Sequence, residues 1–362
     1  MDIENLSFGL DTFGDSQKDD SGKPITAAQT LRNVIAEGVL ADSVGIAHFN
    51  VGEHHRSDFS ISAPDTVLAG LATVTNQITL GTGVTVLSSE DPVRVYQSFA
   101  TIDALSNGRA EITAGRGSFI ESFPLFGYEL SDYNVLFEEK LELLVELLKE
   151  MPVTWNGTTR KGLSEQEVFP KTERGQIPLR VGVGGTPESV VRAAKLGAHL
   201  AIAIIGGDSS RFAPLADLYR NACEKFEKPV KTISIHSPGH IADTDEQAIE
   251  EMWPNYEEMF GRIGRERGWG PVTKDHYLSE VHFGSIYAGS AETVAKKREE
   301  KIKVIAKSLN KRTFGLSLQK EENLWLATVI LDDLEAASKK RREAKKAEKA
   351  ATGKKSAKSK KK

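Results

Sequence analysis

ITLGTGVTVLSSEDPVRVYQSFATIDALSNGRAEITAGRG, residues 78–117, contains a strand, a helix and another strand in direct succession. The first ten residues are rich in β-branched side chains, which suit a pleated, half-buried surface. DPVRVYQSFATIDALSNG (91–108) then spaces its apolar residues as a helix does, with Pro92 near the start and Gly108 at the end. RAEITAGRG (109–117) returns to strand character.

The same alternation extends outward in both directions. Towards the N-terminus, strands are expected at 6–13 and 44–52 and helices at 27–42 and 64–76. Beyond residue 117, a helix at 137–151 is followed by VTWNGTTRKGLSEQEVF (153–169), which breaks the rhythm. Asn156-Gly157 between β-formers reads as a hairpin insertion. Strands then follow at 178–185, 199–207 and 230–243, with helices at 187–197 and 212–226. A region from Asp245 to Leu309 holds at least two helices and an irregular piece around GWGPVTKDHY. RTFGLSLQ (312–319) supplies the eighth strand, and a helix begins at Glu322.

Eight strands, each followed by a helix, indicate a (β/α)8 TIM barrel. The hairpin is then an insertion between strands 4 and 5, and the helical region one between strands 7 and 8. A doubly wound open sheet competes, but the count of eight and the lack of a GxGxxG near the N-terminus favour the barrel. The domain is expected over 1–338, with a basic, disordered tail over 339–362.

At 362 residues, with one cysteine and no long apolar run, the chain reads as a cytoplasmic protein without disulfides or membrane spans. Its N-terminus lacks the pattern of a signal peptide. The net charge of −4 conceals +11 on residues 339–362, leaving −15 on the rest. An acidic body does not suit nucleic acid, so contact with it is conceivable only through the tail.

At the C-terminal ends of barrel strands, where such folds place their chemistry, four features stand out. VGEHH (51–55) sets Glu53, His54 and His55 at the end of strand two. Successive strand residues point to opposite sides, so the two histidines do not converge on one metal ion, and no HExxH occurs. Cys223 falls in an amphipathic helix and reads as a core thiol. Strand five ends in Gly184-Gly185-Thr186 ahead of Pro187, and strand six in Gly206-Gly207. Such pairs serve either tight turns or an anion at a helix N-terminus, with Thr186 as N-cap. Arg116, between glycines on strand four, suits a phosphate, a polar ring edge or a structural carboxylate.

GEHH, then the stretch 78–117, then GVGGTPESVVRAAKLGAHLAIAIIGG and IGRERGWGP, together resemble the bacterial luciferase-like family of flavin-dependent oxidoreductases, in its FMN-type branch. The resemblance runs from about Leu6 to Gln319. It implies a (β/α)8 barrel, commonly dimeric, that binds FMN (or F420 in other branches) at the C-terminal face. It implies a monooxygenase in which NAD(P)H supplies electrons, directly or through a flavin reductase, and a small organic substrate is oxidised. His54 matches the family's catalytic histidine, a general base or acid beside the flavin, with Glu53 and His55 orienting or structural. Gly83–Val84 matches a non-proline cis peptide behind the flavin ring. Gly184, Gly185, Thr186, Ile205, Gly206 and Gly207 match the phosphate-binding strand ends, and Arg116 a position near the flavin. A non-catalytic flavin binder and a metal hydrolase on the same barrel are the readings from other classes. The lysine-rich tail and the basic KSLNKRTF (307–314) depart from the family pattern.

The substrate stays open among alkane, aldehyde, sulfonate and aromatic. Candidate walls are Phe13, Phe49, Phe59, Phe119, Phe123 and Phe126. GSFIESFPLFGYELSDYN (117–134) is long for a βα loop and suits a lid.

Overall fold

Residues 6–297, except 17, 18, 20, 118 and 269, and the strand backbone at 315–316 and 325–331 are described by the structure, a computed structural model. Helix starts follow from their capping residues. α1 (Ala27–Ser43) opens at Thr26, whose side chain accepts the Gln29 N–H. α3 (Pro92–Leu105) opens at Asp91, which accepts from Val93 and Arg94. α6 (Pro187–Leu196) stops at Gly197 with φ 67°, the left-handed conformation that glycine adopts freely. α3 ends earlier than expected, at Leu105, ahead of the left-handed pair Asn107 and Gly108.

The strands are β1 (Leu6–Thr12), β2 (His48–Val51), β3 (Thr79–Thr82), β4 (Thr85–Val86), β5 (Ile112–Gly115), β8 (Leu179–Val183), β9 (His199–Ala203) and β10 (Ile233–Ala242). Between β5 and β8 lie β6 (Val153–Trp155) and β7 (Leu163–Gln166), which pair antiparallel as the expected hairpin. The remaining helices of the barrel are α2 (Pro64–Ala72), α4 (Ser122–Phe126), α5 (Tyr133–Leu147) and α7 (Ala213–Lys225).

Hydrogen bonding orders the main sheet β3-β2-β1-β13-β10-β9-β8-β5-β4, with β13 the strand Trp325–Leu331. Its two ends, β3 and β4, are halves of one run separated by Gly83–Val84, whose peptide is cis. Leu80 also exchanges backbone bonds with Arg109 and Glu111 at 2.8 and 2.9 Å, so the path returns to its start. Eight positions make the ring, and the helices cover it outside. Strands of such a ring are buried on both faces, and every residue of β10 is buried, its serines and histidines included. Where the strands begin, Arg180 and Glu111 form a buried pair with bonds of 2.7 and 2.9 Å.

The eighth ring position departs from expectation. β12 (Gly315–Leu316) is a short antiparallel neighbour of β13, and it is all of the expected strand 312–319 that the structure describes. β13 itself runs antiparallel to both β1 and β10, in a stretch expected to be helical. WLATVIL is apolar and rich in β-branched residues, which suits a strand between two others better than an amphipathic helix. The basic segments 307–314 and 339–362 lie outside the described residues.

The insertion after β10 holds α8 (Asp245–Arg267) and α9 (Lys274–His282). It also holds an unforeseen strand, β11 (Tyr287–Ser290), parallel to β10. Met252, Tyr256, Tyr277, Val281 and Ile286 give it a small core of its own. No helix among the described residues is long and apolar enough to cross a membrane.

Candidate active site

Gly52 turns the chain out of β2, and a β-carbon there would lie 2.0 Å from the Phe13 ring. Only glycine lets Phe13 approach so closely. His54 follows, fixed by its N–H to the Ile61 carbonyl at 3.0 Å. Its imidazole is buried in a cage of Phe13, Phe59 and Phe119, with ring centroids 4.7, 4.5 and 4.8 Å away. Nδ1 of His54 stands 3.8 Å from Oε1 of Glu121. Burial works against the Glu121 charge, yet His54 and backbone N–H groups outweigh it and hold the carboxyl below its usual value. The neighbours of His54 in sequence face elsewhere. Glu53 accepts the Val86 N–H at 2.9 Å and contacts Nε2 of His55 at 3.0 Å. That hydrogen bond raises the His55 pKa.

His54 opens onto a cavity of about 550 Å³. Its barrel side is made by Phe13, His54, Phe59, Phe119, Ile205 and Gly206, and its far side by Tyr256, Met259, Phe260, Ile263, Pro271 and Val272 of the insertion. Of the other phenylalanines expected as walls, Phe49 and Phe123 are core, while Phe126 is exposed and meets His55 edge-on at 5.0 Å. The segment 117–134 does reach the site, through Phe119 and Glu121.

The residues assigned to a cofactor fall into neighbouring groups. The Val84 side chain packs over two glycines; β-carbons at Gly115 and Gly182 would lie 2.5 and 3.0 Å from it. Arg116 reaches the start of α6, where its Nη2 donates to Ser189 at 3.1 Å and to Thr186 at 3.5 Å. Thr186 takes the N-cap position, but its hydroxyl meets Arg116 and Ser189 instead of capping the helix. No atom comes within 4 Å of a β-carbon added at Gly184 or Gly206, so open space adjoins both. The Gly207 N–H donates to Glu280 Oε2 at 2.8 Å.

Cys223 is buried in α7, and burial raises its pKa. Among the described residues, no three His, Cys, Asp or Glu side chains are grouped to hold a metal ion.

The profile of the luciferase-like monooxygenases matches residues 8–307 of this chain. The chain belongs to that family. A relative, the oxygenase component of a flavin-dependent trigonelline monooxygenase from Acinetobacter baylyi, is 28% identical over 62% of each chain. The oxygenating constituent of 3,6-diketocamphane monooxygenase from Pseudomonas putida, solved with FMN, shares the fold. It matches with TM-score 0.66 at 20% identity, over 88% of this chain and 92% of the other. The F420-dependent tetrahydromethanopterin reductase of Methanopyrus kandleri matches with TM-score 0.63 at 18% identity, over 83% and 91%. Matches to the first curated relatives span between 38% and 62% of those relatives' lengths.

Several site residues escape a reading of the sequence alone. Tyr256, Met259, Phe260 and Ile263 stand at i, i+3, i+4 and i+7 on α8, a signal visible in the chain but identical to that of a core helix. Glu121 and Glu280 carry no local signal. Away from the cavity lining, the buried array in which Asp11 joins Asn50 at 2.7 Å and His236 at 2.5 Å is equally silent in the sequence.

Proposed function

We propose that this protein is a flavin-dependent monooxygenase that uses reduced FMN and O2 to oxidise a small organic substrate. The observation that carries the reading is His54, caged by three phenylalanines beside Glu121 and opening onto an apolar cavity. The residues present fit a flavin. Arg116, Thr186 and Ser189 at the start of α6 offer a guanidinium, hydroxyls and a helix dipole to a terminal phosphate. Open space adjoins Gly184 and Gly206, and with Gly185, Ile205 and the Gly83–Val84 shelf these residues would form the bed of the cofactor. Gly207 belongs to the same strand end, with its N–H on Glu280 in this structure.

Bound and reduced, the flavin supplies the electrons that activate O2. The chain binds and orients it, and the phenylalanine cage excludes water around His54. His54 gives or takes a proton at its imidazole. Glu121 orients that ring and Glu53 fixes the turn that carries it. The trigonelline relative is one component of a system, which supports a partner flavin reductase drawing on NAD(P)H. A homodimer in the cytoplasm completes the reading.

Titration with FMN and, in parallel, with F420, read by absorbance, tests the cofactor. Saturable FMN binding is expected; F420 binding alone replaces oxygenation with hydride transfer. His54→Ala should keep FMN and lower oxidation by roughly 10²–10⁴-fold, the usual worth of a general acid or base. Equal oxidation by variant and wild type removes His54 from the chemistry. FMN binding without turnover in the wild type indicates a flavin binder.

A further inference from the structure

We infer that the cavity beside His54 selects neutral, apolar, ring-sized substrates and rejects anionic ones. The inference rests on the monooxygenase reading and names the substrate class of that same site. Its basis is the wall that the insertion contributes.

α8 presents Tyr256, Met259, Phe260 and Ile263 to the cavity as one stripe, and Pro271 and Val272 extend it from the following loop. Opposite them stand Phe13, Phe59 and Phe119. No lysine or arginine is among the described residues lining the cavity. Two guanidiniums nearby are turned to carboxylates. Arg262 pairs with Asp58 at 3.0 Å and with Glu258 at 3.3 Å, and Arg56 pairs with Asp58 at 3.3 Å while lying over the Phe119 ring.

The acidic group on the wall is Glu280, whose Oε2 accepts the N–H groups of Gly207 and Ser285 at 2.8 and 3.3 Å. Two backbone donors hold that carboxylate in place. A sulfonate or carboxylate entering here would lose its hydration, meet no cation among the described lining residues and face the Glu280 carboxylate. An aromatic or alicyclic ring loses only apolar hydration and stacks against the phenylalanines. His54 and the exposed His276 provide hydrogen-bonding groups to orient a neutral carbonyl or hydroxyl.

The test is calorimetric titration of the full chain with 2-acetonaphthone and 2-naphthoate, which share a ring system and differ in charge. Each is run with and without saturating FMN, and FMN binding is read separately from its absorbance. The ketone should bind at least about tenfold more tightly than naphthoate in both states. Ile263→Arg, a half-buried position on α8, should narrow or reverse that preference, with Met259→Lys as a second variant and circular dichroism confirming that each folds. Naphthoate binding as tightly as the ketone overturns the inference. So does undetectable ketone binding, or a preference unchanged in both folded variants. If FMN fails to bind while the preference holds and responds to Ile263→Arg, the flavin reading falls and the selectivity of the cavity stands.

Discussion

Oε1 of Glu121 lies 3.8 Å from Nδ1 of His54 and 3.4 Å from the His55 N–H, so one carboxylate of the segment 117–134 spans the turn that carries the candidate proton-transfer group. Phe119, two residues earlier, stacks edge-on against the same imidazole. The loop after β5 and the histidine after β2 are therefore set by each other.

Glu121→Gln keeps the size of the side chain and removes its charge. Turnover should fall about tenfold, a loss near 1.4 kcal/mol of transition-state stabilisation, with FMN affinity unchanged. Steady-state kinetics and a flavin titration check both halves; an equal loss of flavin binding would make Glu121 part of the cofactor site instead.

Arg116 should act on the phosphate of the cofactor and not on its ring. Charge-assisted hydrogen bonds contribute about 1.5–3 kcal/mol, so Arg116→Met should weaken FMN binding by roughly 10–100-fold. Riboflavin, which lacks the phosphate, should bind variant and wild type alike. If both ligands weaken together, the guanidinium supports the ring or the loop.

Two buried groups should give stability opposite dependences on pH. Burial and the charges of Asp58 and Glu37 raise Asp15 from 3.8 to about 7. Its contribution is fully present below pH 3.8 and is lost as the pH rises through about 7. His199 is lowered from 6.5 to about 4 by burial and the Arg180 charge, so its contribution is present above pH 6.5 and is lost as the pH falls through about 4. Urea unfolding midpoints across pH 4–8 should show Asp15→Asn gaining on wild type towards the alkaline end. His199→Gln should gain towards the acid end. A constant offset between variant and wild type would remove the assigned group from the pH dependence.

Much of the barrel can be read from local pattern, because strands and helices carry different hydrophobic periods. Runs such as ITLGTGVTVL and the amphipathic AAQTLRNVIAEGVLAD lie within a few residues of the observed elements. The placement of His54 follows from the same logic, since it comes directly after a strand. β13 departs from the expected helix for the complementary reason. A short apolar run takes the structure its neighbours require, and Trp325–Leu331 is bracketed by β1 and β10.

The sequence by itself therefore determined the alternation of strands and helices, the hairpin at 153–166 and the positions of His54 and the glycines just after strand ends. Tertiary structure alone decided what surrounds them. It aimed the α8 stripe at the cavity and not wholly at a core, gave the Gly207 N–H to Glu280, and brought Asp11 within 2.5 Å of His236 across 225 residues of chain. Periodicity and capping are properties of neighbouring residues, which the chain encodes locally. A charge partner or a facing wall depends on how distant elements pack, and one stripe of apolar residues is the same in sequence whether it meets a core or a ligand.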